Sequence, residues 1–225
     1  MATTTVGFAA ARRRMVEQQL LSRGIVDPLV LRAMGAVPRE KFISAGQATL
    51  AYHDGPLPIG ENQTISQPYI VALMTAAARL VPTDRVLEIG TGSGYAAAVL
   101  AEIVAEVYTV ERLPGLAERA RQRLTEFGYV NVHVLTGDGS LGWPEHAPYD
   151  AIIATAGGPR APQALLDQLA LGGRLVIPLG ADPYEQRLVR IIRLRTAEYR
   201  HEKLELVAFV PLIGAQAWPV GVSRS

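Results

Sequence analysis

The sequence predicts an α/β fold: a doubly wound, Rossmann-like sheet of seven mostly parallel strands with an antiparallel edge, preceded by an N-terminal helical extension. Three observations support this prediction. Strand-like and helix-like segments alternate from residue 85 onward, a glycine-rich turn joins the first of these strands to a helix, and two adjacent β-rich runs end the series. We expect residues 1–225 to form one domain, with the extension and a long loop in 1–80 and the core in 81–225.

The extension begins with a sequence that favours interrupted helices. A first helix is predicted over Arg12–Ser22, ended by Gly24. Asp27 is suited to cap a second helix that has Pro28 as its first residue, and Pro38 opens a third, shorter one.

The second part of the extension is predicted to be a long loop that leads into a helix. Residues 51–67 are rich in Gly, Pro and polar side chains, and a loop of this length in a compact domain usually has a function. Pro68 then begins a helix that is expected to run to about Leu80.

The core is predicted from alternating apolar patterns. Its strands are expected at Arg85–Gly90, Glu106–Glu111, Val130–Thr136, Tyr149–Thr155 and Gly173–Leu179, and its helices at Gly94–Val104, Leu113–Phe127 and Ala161–Leu171. Two β-rich runs follow, Glu185–Arg195 and Tyr199–Val210, separated by a short turn. We expect these runs to form an antiparallel hairpin that closes one edge of the sheet.

The composition excludes several classes of protein. The chain has no cysteine, which rules out a disulfide framework, a thiol nucleophile and a cysteine zinc site. Its 22 Lys and Arg residues and 21 Asp and Glu residues leave a net charge of +1, which gives no reason to expect nucleic-acid binding. Three arginines follow the apolar N-terminal stretch, whereas a signal peptide has its positive charges before the apolar stretch. No apolar run is long enough to span a membrane. We therefore expect a cytoplasmic protein.

The clearest chemical signal is the turn after the first core strand. Gly90, Gly92 and Gly94 follow the acidic Glu88, and glycine lets a backbone turn tightly and approach a ligand. The helix behind the turn offers free N–H groups. The dinucleotide fingerprint G-x-G-x-x-G needs glycine at position 95, where this chain has Tyr95. The observed G-x-G-x-G spacing after an acid is the pattern of S-adenosylmethionine-dependent methyltransferases.

Two further acids support a nucleoside site. Glu111 ends the second core strand, where a carboxylate can accept both ribose hydroxyls. Asp138, followed by Gly139, comes after the third strand and could accept from the exocyclic amine of adenine. A glycine-rich turn alone can be a plain strand–helix connection, but acids at the ends of two neighbouring strands favour a cofactor site.

A second segment identifies a family. Residues 60–68 read GENQTISQP and closely resemble the signature G-x-G-Q-T-I-S-Q-P of the protein-L-isoaspartate O-methyltransferases. The resemblance covers nearly the whole chain from about Met15, through the blocks MVEQQL from Met15, RGI from Arg23, VPREKF from Val37, LPIG from Leu57, PYDAII from Pro148, GGRLV from Gly172 and FVPL from Phe209. Asn62 stands where the family usually has glycine, and because Asn tolerates positive φ, we expect the loop to keep its shape.

The resemblance implies an activity. The family transfers a methyl group from S-adenosyl-L-methionine to the free α-carboxylate of L-isoaspartyl residues in damaged proteins and peptides, which initiates their repair and leaves S-adenosyl-L-homocysteine. An α-carboxyl group has a pKa of about 3.3–3.7, so it is ionised at neutral pH and needs no general base. The four histidines fit this picture, since none has the spacing of a catalytic dyad, and we expect no metal.

The motifs and the resemblance together imply a set of site residues. On the cofactor side these are Ile65, Ser66, Glu88, Gly90, Thr91, Gly92, Ser93, Gly94, Tyr95, Glu111, Arg112, Asp138 and Gly139. On the substrate side they are Ile59, Thr64, Ser66, Val210, Pro211 and Leu212. Ser66 is the expected catalytic residue, whose hydroxyl by resemblance contacts the substrate carboxylate. Helix capping would also explain Ser66 and Gln67, and a terminal core strand would explain residues 209–212.

Two other functions remain open from the sequence. The first is a methyltransferase for a small molecule or a nucleic acid, which the segment Gln63–Pro68 and the near-zero net charge disfavour. The second is a non-enzymatic binding module on the same fold, which should have lost cofactor-site residues that this chain retains. We expect a monomer that acts on isoaspartyl proteins and peptides, without nucleic-acid or membrane partners.

Overall fold

A computed structural model of the chain describes residues 3–183 and 185–221. Its helices are α1 (Thr3–Met15), α2 (Pro28–Ala36), α3 (Pro68–Ala77), α4 (Tyr95–Ala101), α5 (Pro114–Glu126) and α6 (Gln163–Asp167). Its strands are β1 (Leu57–Gly60), β2 (Gln63–Ile65), β3 (Arg85–Ile89), β4 (Glu106–Glu111), β5 (Val132–Thr136), β6 (Tyr149–Ala154), β7 (Leu169–Asp182), β8 (Glu185–Arg195) and β9 (Glu198–Val207).

The central sheet has seven strands in the order β5-β4-β3-β6-β7-β8-β9. The first five are parallel to their neighbours, whereas β8 pairs antiparallel with both β7 and β9. This confirms the predicted sheet and its antiparallel edge. After β3 the chain forms β4 and β5 on one side of the sheet, and after β6 it forms β7, β8 and β9 on the other side. A crevice therefore opens between the carboxyl ends of β3 and β6.

The sheet is covered on both faces because its central strands are apolar on both sides. Val86 and Leu87, which are consecutive in β3, are fully buried in two different hydrophobic clusters. The cluster around Val86 also contains Met34 and Phe42 from the N-terminal extension. The Phe42 ring meets the Tyr95 ring edge-on at 5.6 Å between centroids, so the extension packs directly against the start of α4.

The segment 51–67 was predicted as a loop, and this prediction was wrong for its second half. β1 and β2 form an antiparallel hairpin joined by Glu61 and Asn62. These two residues have φ of 51° and 58°, as a two-residue type I′ turn requires. Asn62 thus adopts the positive φ that was expected of it, and the turn brings the two short strands together.

Several element ends differ from the prediction. α1 begins at Thr3 rather than Arg12, and α3 ends at Ala77, after which Arg79 has a φ of 50°. The helix predicted over 161–171 ends at Asp167, because Leu169 already pairs with Tyr149 of β6. β9 ends at Val207 rather than Val210, since the following residues leave the sheet and bond to residue 157 instead.

Candidate active site

A cleft of about 440 Å³ opens at the carboxyl ends of β3, β4 and β6. The hairpin residues 62–66 lie on one side, and residues 210–213, which follow β9, lie on another. The predicted site residues that line it are Thr64, Ile65, Ser66, Gly90, Thr91, Gly92, Ser93, Tyr95, Glu111, Arg112, Gly139, Val210, Pro211 and Leu212. The two segments that the sequence singled out therefore meet in one cleft.

The glycine-rich turn forms the floor of the cleft. Gly90, Gly92 and Gly94 all have positive φ, at 95°, 53° and 88°. A Cβ atom on Gly90 would lie 2.4 Å from the Thr155 hydroxyl, which donates to the carbonyl oxygens of Ile89 and Gly90. A side chain at Gly90 is thus excluded by both backbone conformation and space, and the turn exposes backbone to the cleft.

Glu111 holds the turn and the next loop in place. One of its carboxylate oxygens accepts from the Gly92 N–H at 2.9 Å and the other accepts from the Leu113 N–H at 3.0 Å. The side chain is 7% exposed and lines the cleft. A carboxylate offers about four acceptor positions, so each oxygen retains one for a ligand hydroxyl.

Glu88 lies directly behind the glycine-rich turn and is fully buried. Its Oε2 accepts from the Thr109 hydroxyl at 2.6 Å, and the Thr91 hydroxyl lies 2.7 Å from that of Thr109. Its Oε1 has no hydrogen-bond partner among the described residues. Burial, and secondarily the charge of Glu111, raises the pKa of Glu88 to about 8, against the opposing effect of the Thr109 bond. The carboxyl group is therefore largely protonated at neutral pH.

Ser66 lies in the cleft with an uncommitted hydroxyl. Neither Ser66 nor Gln67 caps α3 with its side chain, so helix capping does not explain them. The Gln67 amide instead donates to the Asp54 carboxylate at 2.7 Å. Across the described part of the chain, the Ser66 hydroxyl forms no hydrogen bond, whereas Ile65 beside it is buried. Ser66 thus offers a free hydroxyl to the cleft that the glycine-rich turn also lines.

The segment after β9 pairs with Gly157, just beyond the end of β6, through an isolated β-bridge. The Gly157 N–H donates to the Val210 carbonyl at 2.9 Å, and the Leu212 N–H donates to the Gly157 carbonyl at 2.8 Å. This parallel pairing uses one edge of the segment. Within the described residues, the Pro211 carbonyl, which points to the other edge, is unpaired. That edge is available to a bound peptide backbone.

Gln186 of β8 holds this segment in position. Its buried side chain accepts from the Phe209 N–H at 2.9 Å and donates to the Phe209 carbonyl at 3.3 Å. A Cβ atom on Gly157 would meet the Gln186 amide at 2.4 Å, so the close packing requires glycine there. Sequence reasoning missed Gln186, because nothing local to it indicates a partner 23 positions away.

Four predicted site residues do not line the cleft: Ile59, Glu88, Gly94 and Asp138. Gly94 caps the start of α4, and the Ile59 side chain lies 3.3 Å from where a Gly92 Cβ would be. Asp138 accepts from the Ser140 N–H and hydroxyl with one oxygen and from the Ala215 N–H with the other. It therefore anchors the loop around residue 215, and a direct contact with a nucleobase stays a prediction.

The cleft also contains residues that the sequence analysis did not name. These are chiefly Ile89, Val110, Leu113, Thr155, Ala156 and Ile213. Thr155 and Ala156 could have been found, because they follow β6 directly and the carboxyl ends of adjacent parallel strands meet at one edge. Ile213 could not, since its position depends on how the chain returns after β9.

The four histidines lie outside the cleft lining. His133 pairs with Glu106 at 2.7 Å, and the rings of His133 and His146 stack on Tyr108 at 4.9 and 4.3 Å. Within residues 3–183 and 185–221, no group of three His, Asp or Glu side chains is arranged to hold a metal ion. None of the helices in the described ranges is both long enough and apolar enough to cross a membrane.

Comparison with known proteins connects this geometry to a family. The family model for protein-L-isoaspartate(D-aspartate) O-methyltransferase (PCMT) matches residues 10–217. Protein-L-isoaspartate O-methyltransferase 1 of Geotalea uraniireducens is 62% identical over 94% of this chain and 96% of its own length. The protein-L-isoaspartate O-methyltransferase of Protochlamydia amoebophila is 58% identical over 91% of this chain and 97% of its own.

Solved structures show the same relationship. One protein-L-isoaspartate O-methyltransferase superposes with a TM-score of 0.83 at 28% identity, over 92% of this chain and 67% of that chain. A Plasmodium falciparum structure described as a PCMT in complex with S-adenosyl-L-homocysteine gives a TM-score of 0.78 at 27% identity, over 90% and 98% of the two chains.

Proposed function

This chain belongs to the protein-L-isoaspartate(D-aspartate) O-methyltransferase family, and we propose that its cleft performs the methyl transfer of that family. The chain is therefore an S-adenosylmethionine-dependent enzyme that methylates the α-carboxylate of L-isoaspartyl residues. In our proposal, Ser66 acts on the substrate side of the cleft and Glu111 on the cofactor side. The observation that carries this assignment is that the free Ser66 hydroxyl and the ligand-ready Glu111 carboxylate share one cleft. The family assignment, rather than the cleft, argues against the two other functions that the sequence left open.

The residues present fit the cofactor. The two oxygens of Glu111 each retain an acceptor position for a ribose hydroxyl, and the positive φ of Gly92 lets the backbone approach closely. The Glu88 carboxyl lies behind the same turn, outside the cleft lining, where it bonds to the Thr109 hydroxyl. When bound, S-adenosylmethionine supplies an electrophilic methyl group on a sulfonium centre.

The chain has to align the substrate rather than activate it. The attacking carboxylate is already ionised, so no residue needs to remove a proton from it. We assign Ser66 the task of donating a hydrogen bond to this carboxylate and aiming it. Because attack of an anion on a cation reduces charge, a partly desolvated site favours the reaction, and alignment supplies the rest, roughly 7–11 kcal/mol at most.

The substrate backbone is proposed to pair with the free edge of residues 210–212. The Pro211 carbonyl on that edge can accept a hydrogen bond from the N–H of an extended peptide, a main-chain contact of the kind used in strand addition. Recognition through main-chain groups would be largely independent of the sequence around the damaged residue. Thr64 and Ile59 are assigned to the substrate side with them, and Ile65 and Arg112 to the cofactor side.

Several properties of the enzyme are part of the proposal. We propose that the whole chain acts as a single-domain monomer in the cytoplasm and that it does not take nucleic acid as a substrate. The near-zero net charge supports the last point, because nucleic-acid binding draws on an excess of basic residues. It also suits an enzyme whose damaged protein substrates carry charge of either sign.

The test uses labelled S-adenosylmethionine and paired peptides that differ only in an aspartyl or isoaspartyl linkage. Base-labile label should appear on the isoaspartyl peptide alone, since a methyl ester is hydrolysed by base. Equal labelling of both peptides, or of neither, would contradict the proposal. Chromatography of the methylated peptide after mild base should show succinimide formation.

A further inference from the structure

A second cavity, of about 500 Å³, lies next to the active-site cleft. It is bounded by residues 42–47, by β1 and by α5, and we call it the α5 cavity. Gly92 and Ser93 line both spaces, so the glycine-rich turn forms a common wall. Ile59, which is assigned to the substrate side, also lines the α5 cavity, but the proposed methyl transfer gives no role to the charged residues there.

Two arginines give the α5 cavity its charge. Arg119 and Arg123 are one helical turn apart, so their side chains share a face of α5. Arg119 pairs with Glu61 of the hairpin at 3.0 Å, in an ion pair that is largely exposed. Arg123 donates to the Ser93 carbonyl at 2.7 Å, and across the described ranges it forms no ion pair with a carboxylate. Burial, and then the neighbouring charge of Arg119, lowers the pKa of Arg123.

The remaining polar lining adds donors rather than acceptors. The Ser44 hydroxyl donates to the Gln47 side-chain oxygen at 2.9 Å, which leaves the Gln47 amide N–H groups without a partner among the described residues. Each guanidinium also has donors beyond its single bond. Glu61 is thus the one carboxylate that the described part of the chain pairs with either arginine. The apolar side chains of Ile43, Ile59 and Leu116 complete the wall.

We propose that the α5 cavity binds an oxyanion, a carboxylate or a phosphate, between Arg119 and Arg123. Two like charges on one helix face repel, and an anion with several acceptor oxygens relieves that repulsion and satisfies the free donors. The carboxylate could come from an acidic side chain of the polypeptide substrate, whose methylene groups would contact the apolar wall. The phosphate would be a free ion. Only the first source rests on the proposed function.

Inorganic phosphate is the probe for the binding test, measured by isothermal titration calorimetry on the full chain at constant ionic strength. We expect saturable binding that Arg119→Gln weakens at least about tenfold, because a charge-assisted hydrogen bond is lost. Glu61→Gln should tighten binding, since it removes the carboxylate that competes for Arg119. Arg121→Gln is the matched control: Arg121 is on the same helix but bonds to Glu118 and to the Val134 carbonyl, outside the α5 cavity.

The source of the anion is identified with isoaspartyl peptides that carry Glu or Gln near the damaged residue. A lower KM for the Glu peptide that disappears in Arg119→Gln assigns the site to substrate side chains. Phosphate binding without such a difference assigns it to a free anion. Phosphate binding that is absent, or that all three variants change equally, overturns the proposal. Loss of methylation with intact phosphate binding counts against the proposed function alone.

Discussion

The buried carboxyl group of Glu88 makes the stability of the protein depend on pH in a way that can be measured. Its pKa is raised from 4.5 to about 8, chiefly because the folded protein removes it from water. Such a carboxyl group binds its proton more tightly in the folded protein than in the unfolded chain, and this difference stabilises the fold. The stabilisation is fully present below the pKa that the group has in the unfolded chain, and it is lost as the pH rises through the pKa that the group has in the folded protein. Stability should therefore fall between about pH 4.5 and pH 8.

The size of the effect follows from the shift. Each pKa unit corresponds to about 1.4 kcal/mol, so 3.5 units give roughly 5 kcal/mol as an upper limit above pH 8. At pH 7, where the difference from 4.5 is about 2.5 units, the loss is on the order of 3 kcal/mol. The fully buried state of Glu88 justifies the use of an undiscounted shift.

Glu88→Gln tests this reasoning, because the glutamine keeps an acceptor for Thr109 and cannot ionise. The free energy of unfolding should be measured by urea denaturation from pH 4.5 to pH 8 without cofactor. The variant should gain stability relative to the wild type as the pH rises, whatever constant offset the buried amide introduces. The exposed Glu145→Gln controls for general loss of negative charge. A difference between wild type and Glu88→Gln that stays flat over this range would refute the explanation.

Substitutions at three further residues test the assigned roles. Ser66→Ala should lower kcat at least about tenfold with nearly unchanged affinity for S-adenosylmethionine, because it removes one charge-assisted hydrogen bond to the substrate carboxylate. Normal turnover in this variant would show that Ser66 has no catalytic role. Glu111→Ala should weaken S-adenosylmethionine binding at least about tenfold, because it removes the proposed acceptor for the ribose hydroxyls and leaves two backbone N–H groups without their partner. Calorimetry measures the affinity, and an unchanged value would place the cofactor elsewhere. Gln186→Leu should raise KM for an isoaspartyl peptide several-fold with little change in cofactor affinity, because Phe209 loses both of its side-chain bonds. Gln186→Glu keeps the acceptor for the Phe209 N–H, so its KM should lie between those of the wild type and Gln186→Leu. Equal KM values in the wild type and both variants would show that Gln186 does not position the segment after β9.

Much of the sheet and part of the site could be predicted because they depend on local patterns. The buried strand before Gly90 and the helix after Gly94 are visible as periodic apolar runs. Glu111 could be placed next to the glycine-rich turn because consecutive parallel strands lie side by side. The Gln63–Pro68 segment was informative through its resemblance to a family, and the structure then showed that its serine is not a helix cap.

Other features escaped prediction because their causes are distant in the chain. The bond from the Ala215 N–H to Asp138 joins residues 77 positions apart, so local patterns did not indicate it, and contact of Asp138 with a nucleobase stays a prediction. The β1–β2 hairpin was missed because its turn uses Glu61 and Asn62, which are not a glycine-containing turn sequence. The α5 cavity arises only where the hairpin, the glycine-rich turn and α5 meet.

The sequence by itself determined the fold class, the order of strands and helices in the core, the chemical class of the cofactor site and, through resemblance, the family. Periodicity, turn residues and short motifs record interactions between near neighbours, and these suffice for such conclusions. Tertiary structure alone decided which polar groups are satisfied and which remain free for ligands. Within the described residues the Ser66 hydroxyl lacks a partner and lines the cleft, whereas Asp138 and Gln186 bond to residues far along the chain. That distinction depends on close packing between distant segments, which a linear pattern does not contain.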